Sequence, residues 1–115
     1  MLTLRSFDFY GDKFNFLPTS KPSLKALLLF MEMNPTVKIE IEGHVNGPGV
    51  RNSKSFKELS YNRAYAVKAN LVKNGIAAER VDFKGYGNSH MLYPKPKSLF
   101  QESANRRVEI KIVSQ

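Results

Sequence analysis

Cysteine is absent from the 115-residue chain, which excludes both a disulfide framework and a thiolate metal site. That absence suits a reducing cytoplasm and equally a periplasmic domain that folds without covalent staples. Histidine is scarce, with only His44 and His90. A zinc site would have to draw most of its ligands from carboxylates, and none cluster at ligand spacing along the chain. A Ser-His-Asp triad is as thinly supplied, because a histidine at a strand end ordinarily hydrogen-bonds the backbone. The two glycine-rich triplets, Gly47-Pro48-Gly49 and Gly85-Tyr86-Gly87, lack the lysine or third glycine that a phosphate or dinucleotide loop places at a fixed offset. These shortages argue against an enzyme, and no cofactor is expected. Long apolar runs are missing too: the longest, Ala26 to Met31, falls far short of the roughly 18 residues a membrane helix requires. No basic region followed by an apolar stretch comes after Met1, so no secretory signal is read there.

Acidic residues are outnumbered, 10 against 18 lysines and arginines, for a net charge of +8. Such a balance favours an anionic partner, whether nucleic acid, a membrane surface or an acidic cell-wall polymer. Otherwise the composition, 42% hydrophobic and 24% charged, is that of an ordinary globular protein long enough for one domain and one core. Neither an internal repeat nor a low-complexity segment is visible.

Periodicity divides the chain into alternating strands and helices. Leu2 to Tyr10 reads as a strand whose parity slips between Leu4 and Phe7, followed by a Gly11-Asp12 turn and an apolar connection through Phe14, Phe16 and Leu17 up to Pro18. Ser20 suits an N-cap and Pro22 the first turn of a helix to about Met33, with Leu24, Leu27, Leu28 and Met31 on one face. Asn34-Pro35 ends it. Thr36 to Glu42 alternates as a half-buried strand that Gly43 breaks, and a loop follows to Ser55. Ser55 and Glu58 have the spacing of a capping box for a helix from Phe56 to Asn74, with Gly75 as its C′ residue. Phe56, Leu59, Val67 and Leu71 mark its inner stripe. Arg63 falls on that stripe, where a guanidinium needs a partner. Arg80 to Lys84 forms a third strand, Asn88 to Pro96 a loop, Ser98 to Ala104 a helical turn, and Arg107 to Val113 a last strand. The order predicts a two-layer α/β sandwich, βαβαβ(α)β, with two main helices on a mixed four-stranded sheet. Gly43 to Ser55, facing a helix N-terminus, is a place that favours negative charge. On the open face the outward strand positions are Lys38, Glu40, Glu42, Asp82, Lys84, Glu109 and Lys111. That mixed-charge surface lacks the outward aromatics of RNA-recognition sheets, so nucleic acid is set aside.

Five blocks, I-E-G-H-V-N, L-S-Y-N-R-A-Y-A-V, G-I-A-A-E-R-V, G-Y-G and A-N-R-R-V-E-I, appear in that order. Together they resemble the OmpA-like C-terminal domain, whose pattern contains G-H-T-D, L-S-x-x-R-A, G-I, G-x-G and N-R-R-V-E. The resemblance covers nearly the whole chain. It implies that residues 1–115 are a single OmpA-like domain, the C-terminal module of a longer cell-envelope protein. It also implies a periplasmic domain, tethered to the outer membrane through parts outside this chain, that binds the stem peptide of peptidoglycan and contacts other envelope proteins. In binding members the aspartate of G-H-T-D and the arginine of L-S-x-x-R-A engage diaminopimelate, with the arginine of N-R-R nearby. Carried onto this sequence, the ligand-binding set is Gly43, His44, Val45, Asn46, Ser60, Arg63 and Arg106. Asn46 stands in the aspartate's place, Val45 in the threonine's, and Phe56 replaces an asparagine on the same rim. Gln101 and Glu102 stand where a glycine and an arginine are usual. An amide in place of a carboxylate costs about tenfold in affinity for an ammonium. The alternative is an OmpA-like scaffold or protein-contact module that no longer binds the ligand.

Overall fold

A computed structural model describes the backbone of residues 2–4 and residues 21–115, apart from the Ser103 side chain. The expected strand at the start is present as β1 (Leu2–Leu4). Its extension to Tyr10, the Gly11-Asp12 turn, the Phe14 to Pro18 connection and the Ser20 cap lie outside the described residues. The chain continues through α1 (Lys21–Met33), β2 (Lys38–Gly43), α2 (Lys54–Lys73), a single 3₁₀ turn (Ala78–Arg80), β3 (Val81–Gly85), α3 (Leu99–Asn105) and β4 (Val108–Ser114). The four strands form one sheet in the order β1-β4-β2-β3. β2 and β3 pair in parallel, as a crossover through a helix of α2's length allows, while β4 runs antiparallel to both β1 and β2. The sheet is therefore mixed, and the last strand inserts at its centre.

Register decides which side chains share a face. Ile39 and Ile41 stand opposite Val81 and Phe83 on one side and Ile112 and Ile110 on the other. Leu24, Leu27 and Met31 of α1 and Ala64, Val67 and Leu71 of α2 close over this face, giving one core with Ile39, Ile41, Val81, Val108 and Ile110. The buried positions of α2 are Ser60, Arg63, Ala64, Val67 and Leu71, recurring at the three- and four-residue steps of one helical stripe. Phe56 and Leu59, expected on that stripe, are only half-buried.

The capping box is a correction. α2 starts two residues earlier than its spacing suggested, and the cap is Ser53, whose hydroxyl accepts from the Phe56 N–H at 3.2 Å. A cap residue must keep extended backbone, as Ser53 does at φ −84° and ψ 166°. Ser55 already lies inside the helix, and Glu58 faces Lys54 at 3.7 Å on the exposed side. At the other end Gly75 takes φ +99°, the conformation a C′ glycine supplies.

Candidate functional site

The loop after β2 is held against α2 by two glycines at neighbouring strand ends. Gly43 pairs with Gly85, and a methyl group on either would overlap the backbone of α2, at the Ser60 carbonyl for Gly43 and at the Tyr61 amide for Gly85. The absence of both side chains lets the helix lie on the sheet at this point. Ser60, fully buried there, donates to the Lys57 carbonyl (2.9 Å) and accepts from the Gly87 N–H (2.8 Å). Its hydroxyl is thus committed to joining helix and loop. Beyond the strand ends the backbone ladder continues, with His44 N–H donating to the Arg107 carbonyl, Val45 N–H to the Gly87 carbonyl (both 2.9 Å) and Tyr86 N–H to the Gly43 carbonyl (3.0 Å). Asn88 ties the loop further by donating through Nδ2 to the carbonyls of Gly47 (2.9 Å) and Val50 (2.8 Å). Asn52 Nδ2 donates to the Tyr86 carbonyl at 3.2 Å. Two asparagines that carry no family signature therefore set the loop's shape.

Asn46 is partly exposed and braced from α3. The Asn105 side chain, fully buried, donates through Nδ2 to Asn46 Oδ1 and to the Tyr93 carbonyl, and accepts from the Tyr93 N–H, each at 2.8 Å. Arg63 lies one turn beyond Ser60 on the inner stripe of α2 and is 4% exposed.

His44 belongs to a different surface. Because side chains alternate along β2, it follows Lys38, Glu40 and Glu42 onto the face away from the helices. The upper end of that face departs from the solvated surface expected of its sequence: Glu42 is 7% and His44 3% exposed. Glu109 Oε2 lies 3.0 Å from His44 Nε2 and 3.1 Å from Arg107 Nη2, and Arg107 also donates to the His90 carbonyl at 2.8 Å. The Tyr86 ring stacks on His44 with centroids 5.4 Å apart, and His90 meets both rings edge-on. Burial first, and then the Arg107 charge, push the His44 imidazole down to about 4, so it is neutral at pH 7. Burial, a hydrogen bond with Glu40 and its charge push the Glu42 carboxyl up. These residues, with Ser89 and Met91, line a cavity of about 660 Å³.

Sequence spacing showed no metal-ligand cluster, yet ligand atoms of Glu42, His44 and Glu109 lie within 4.8 Å of one another. The register of β4 against β2 causes this, placing Glu109 directly opposite Glu42. Within this group the Arg107 guanidinium pairs with Glu109 at 3.1 Å, so one of its two carboxylates already faces a cation.

Of the residues the resemblance singles out, Gly43, Val45 and Ser60 are interior parts of the loop–helix junction, and Arg63 is interior on α2. Asn46 is accessible, His44 faces the opposite cavity, and Arg106 is exposed. Its neighbour Arg107 is the arginine that enters the open-face network.

Residues 8–106 match the OmpA family. The chain belongs to that family. It is 37% identical over 111 residues to outer membrane porin F of Pseudomonas fluorescens, a match that covers 95% of this chain and 32% of porin F. It is 39% identical over 79 residues to an outer membrane protein of Gluconacetobacter diazotrophicus, covering 65% of this chain and 21% of that protein. The chain thus spans between a fifth and a third of these relatives. Among solved structures, the peptidoglycan-associated lipoprotein of Burkholderia pseudomallei superposes with a TM-score of 0.80 at 20% identity, over 95% of this chain and 90% of that one. A periplasmic domain of Helicobacter pylori MotB gives 0.80 at 24%, over 98% and 82%. At these identities the two structures establish the shared OmpA-like fold.

Proposed function

We propose that this OmpA-like domain binds peptidoglycan without covalent attachment, through the diaminopimelate-containing stem peptide, and so anchors an outer-membrane protein or envelope complex to the cell wall. Arg63 carries the reading: it occupies the arginine position of the family motif and is 4% exposed on the stripe that faces the loop–helix junction. A guanidinium in low-dielectric surroundings forms a stronger charge-assisted pair with a carboxylate than one in open water. The net charge of +8 suits an acidic polymer, and the similarity to outer-membrane proteins suits a periplasmic setting with other envelope proteins as neighbours. Membership in the OmpA family favours an anchoring role over a catalytic one.

Titration of the isotope-labelled chain with a synthetic stem peptide tests this. Amide shifts concentrated between Gly43 and Arg63 are expected, and Arg63→Lys, a variant that keeps the charge but loses the planar fork, should weaken binding by about tenfold. Unmoved amides at millimolar peptide would leave the scaffold alternative, which one observation already favours: an uncharged amide, Asn46, stands where the family motif carries a carboxylate. Retention on purified sacculi, compared with a random oligonucleotide across a salt series, separates cell wall from nucleic acid through the steep salt slope of the latter.

A further inference from the structure

The orientation of the Asn46 amide follows from its neighbours. The Tyr93 N–H can only donate, so the atom of Asn105 that receives it at 2.8 Å is Oδ1. The other branch of Asn105 is then Nδ2, and it must face acceptors, which are the Tyr93 carbonyl and Asn46, both at 2.8 Å. Asn46 therefore turns its carbonyl oxygen toward Asn105 and its Nδ2 away. That NH₂ group has no hydrogen-bond partner among the described residues, and Asn46 is partly exposed. An aspartate at 46 would accept from Asn105 in the same way and present a second carboxylate oxygen outward. The substitution consequently reverses the polarity of the site, from an anionic acceptor to a neutral donor, and leaves the brace unchanged. Reversing the Asn46 amide to offer an oxygen would set two NH₂ groups against each other, a penalty of about tenfold or more in binding.

We infer that this domain selects stem peptides in which the side-chain amino group of the diamino acid is acylated, as in a cross-link, over those in which it is a free ammonium. The inference rests on the peptidoglycan reading above. Acylation removes the positive charge that Asn46 cannot pair with and supplies a carbonyl oxygen that its NH₂ group can meet.

The test titrates the 115-residue chain and its Asn46→Asp variant with two peptides that differ only at that amine, free in one and acetylated in the other, following amide shifts. The unaltered chain should bind the acetylated peptide at least about threefold more tightly, and Asn46→Asp should reverse the order by about tenfold in favour of the free amine. Equal affinities, or a preference of the unaltered chain for the free amine, would overturn the inference while leaving peptidoglycan binding in place. If neither peptide moves an amide, peptidoglycan binding fails and the selectivity falls with it.

Discussion

A methyl group on Gly43 would meet the Ser60 carbonyl, which is helix backbone and cannot rotate away. Gly43→Ala should therefore cost about 3 kcal/mol in urea unfolding, because α2 must lift from the sheet where the loop begins. His44 acts at the same scale through pH. Its imidazole titrates at about 4 in the folded chain and near 6.5 when unfolded, so between those values the unfolded chain binds more protons. Stability from this group is complete above pH 6.5 and is lost as pH falls toward 4, by about 2 kcal/mol between pH 7 and pH 5. The raised Glu42 carboxyl works the other way, since its protonation in the folded state offsets part of the loss as pH falls. Arg107, Glu109, His90 and Tyr86 also border the imidazole, and all remain in His44→Gln. That variant should lose clearly less stability between pH 7 and pH 5 than the unaltered chain; parallel losses would show that the acid sensitivity resides elsewhere.

At the level of elements, the strands and long helices were legible because each carries its own periodicity, and from α1 to β4 the observed boundaries differ from the expected ones by a residue or two. The start of α2 was less legible. Ser53 and Ser55 both lie near it, and the glutamate three residues after Ser55 completed a familiar pattern, whereas the choice depends on which residue keeps extended backbone. Ser53→Ala should cost about 1 kcal/mol in thermal or urea unfolding, while Ser55→Ala should be nearly neutral. The candidate site was legible only where a motif names its residues. Asn52, Asn88 and Asn105 shape the loop through contacts 34 to 59 residues away in sequence, and no local pattern announces them. Nor does spacing reveal the Glu42–His44–Glu109 group, which exists only once β4 is set against β2.

Across the whole molecule, the sheet order sets β3 on an edge, beside β2, with the 3₁₀ turn before it close to the end of α1. Arg80 uses that placement. It donates through Nη2 to the carbonyls of Met31 (3.0 Å) and Asn34 (2.7 Å), and through Nε to the Val37 carbonyl (3.0 Å). One side chain thus satisfies carbonyls at the C-terminal end of α1 and at the approach to β2, where Asn34-Pro35 has stopped the helix from satisfying them itself. Charge on the donor strengthens each bond, and the positive group sits at the negative end of the α1 dipole. The three contacts join α1, β2 and β3, so their loss should loosen the packing of α1 rather than a single turn. Arg80→Met, which keeps much of the stem but no donor, should lower stability by about 3 kcal/mol. Arg80→Lys should recover only part of it, since an ammonium cannot reproduce the directions of Nε and Nη2 together. Hydrogen exchange distinguishes the mechanism: faster exchange across α1 in Arg80→Met, with α2 amides less affected, is the expected pattern, and uniform acceleration would instead assign Arg80 to global stability alone.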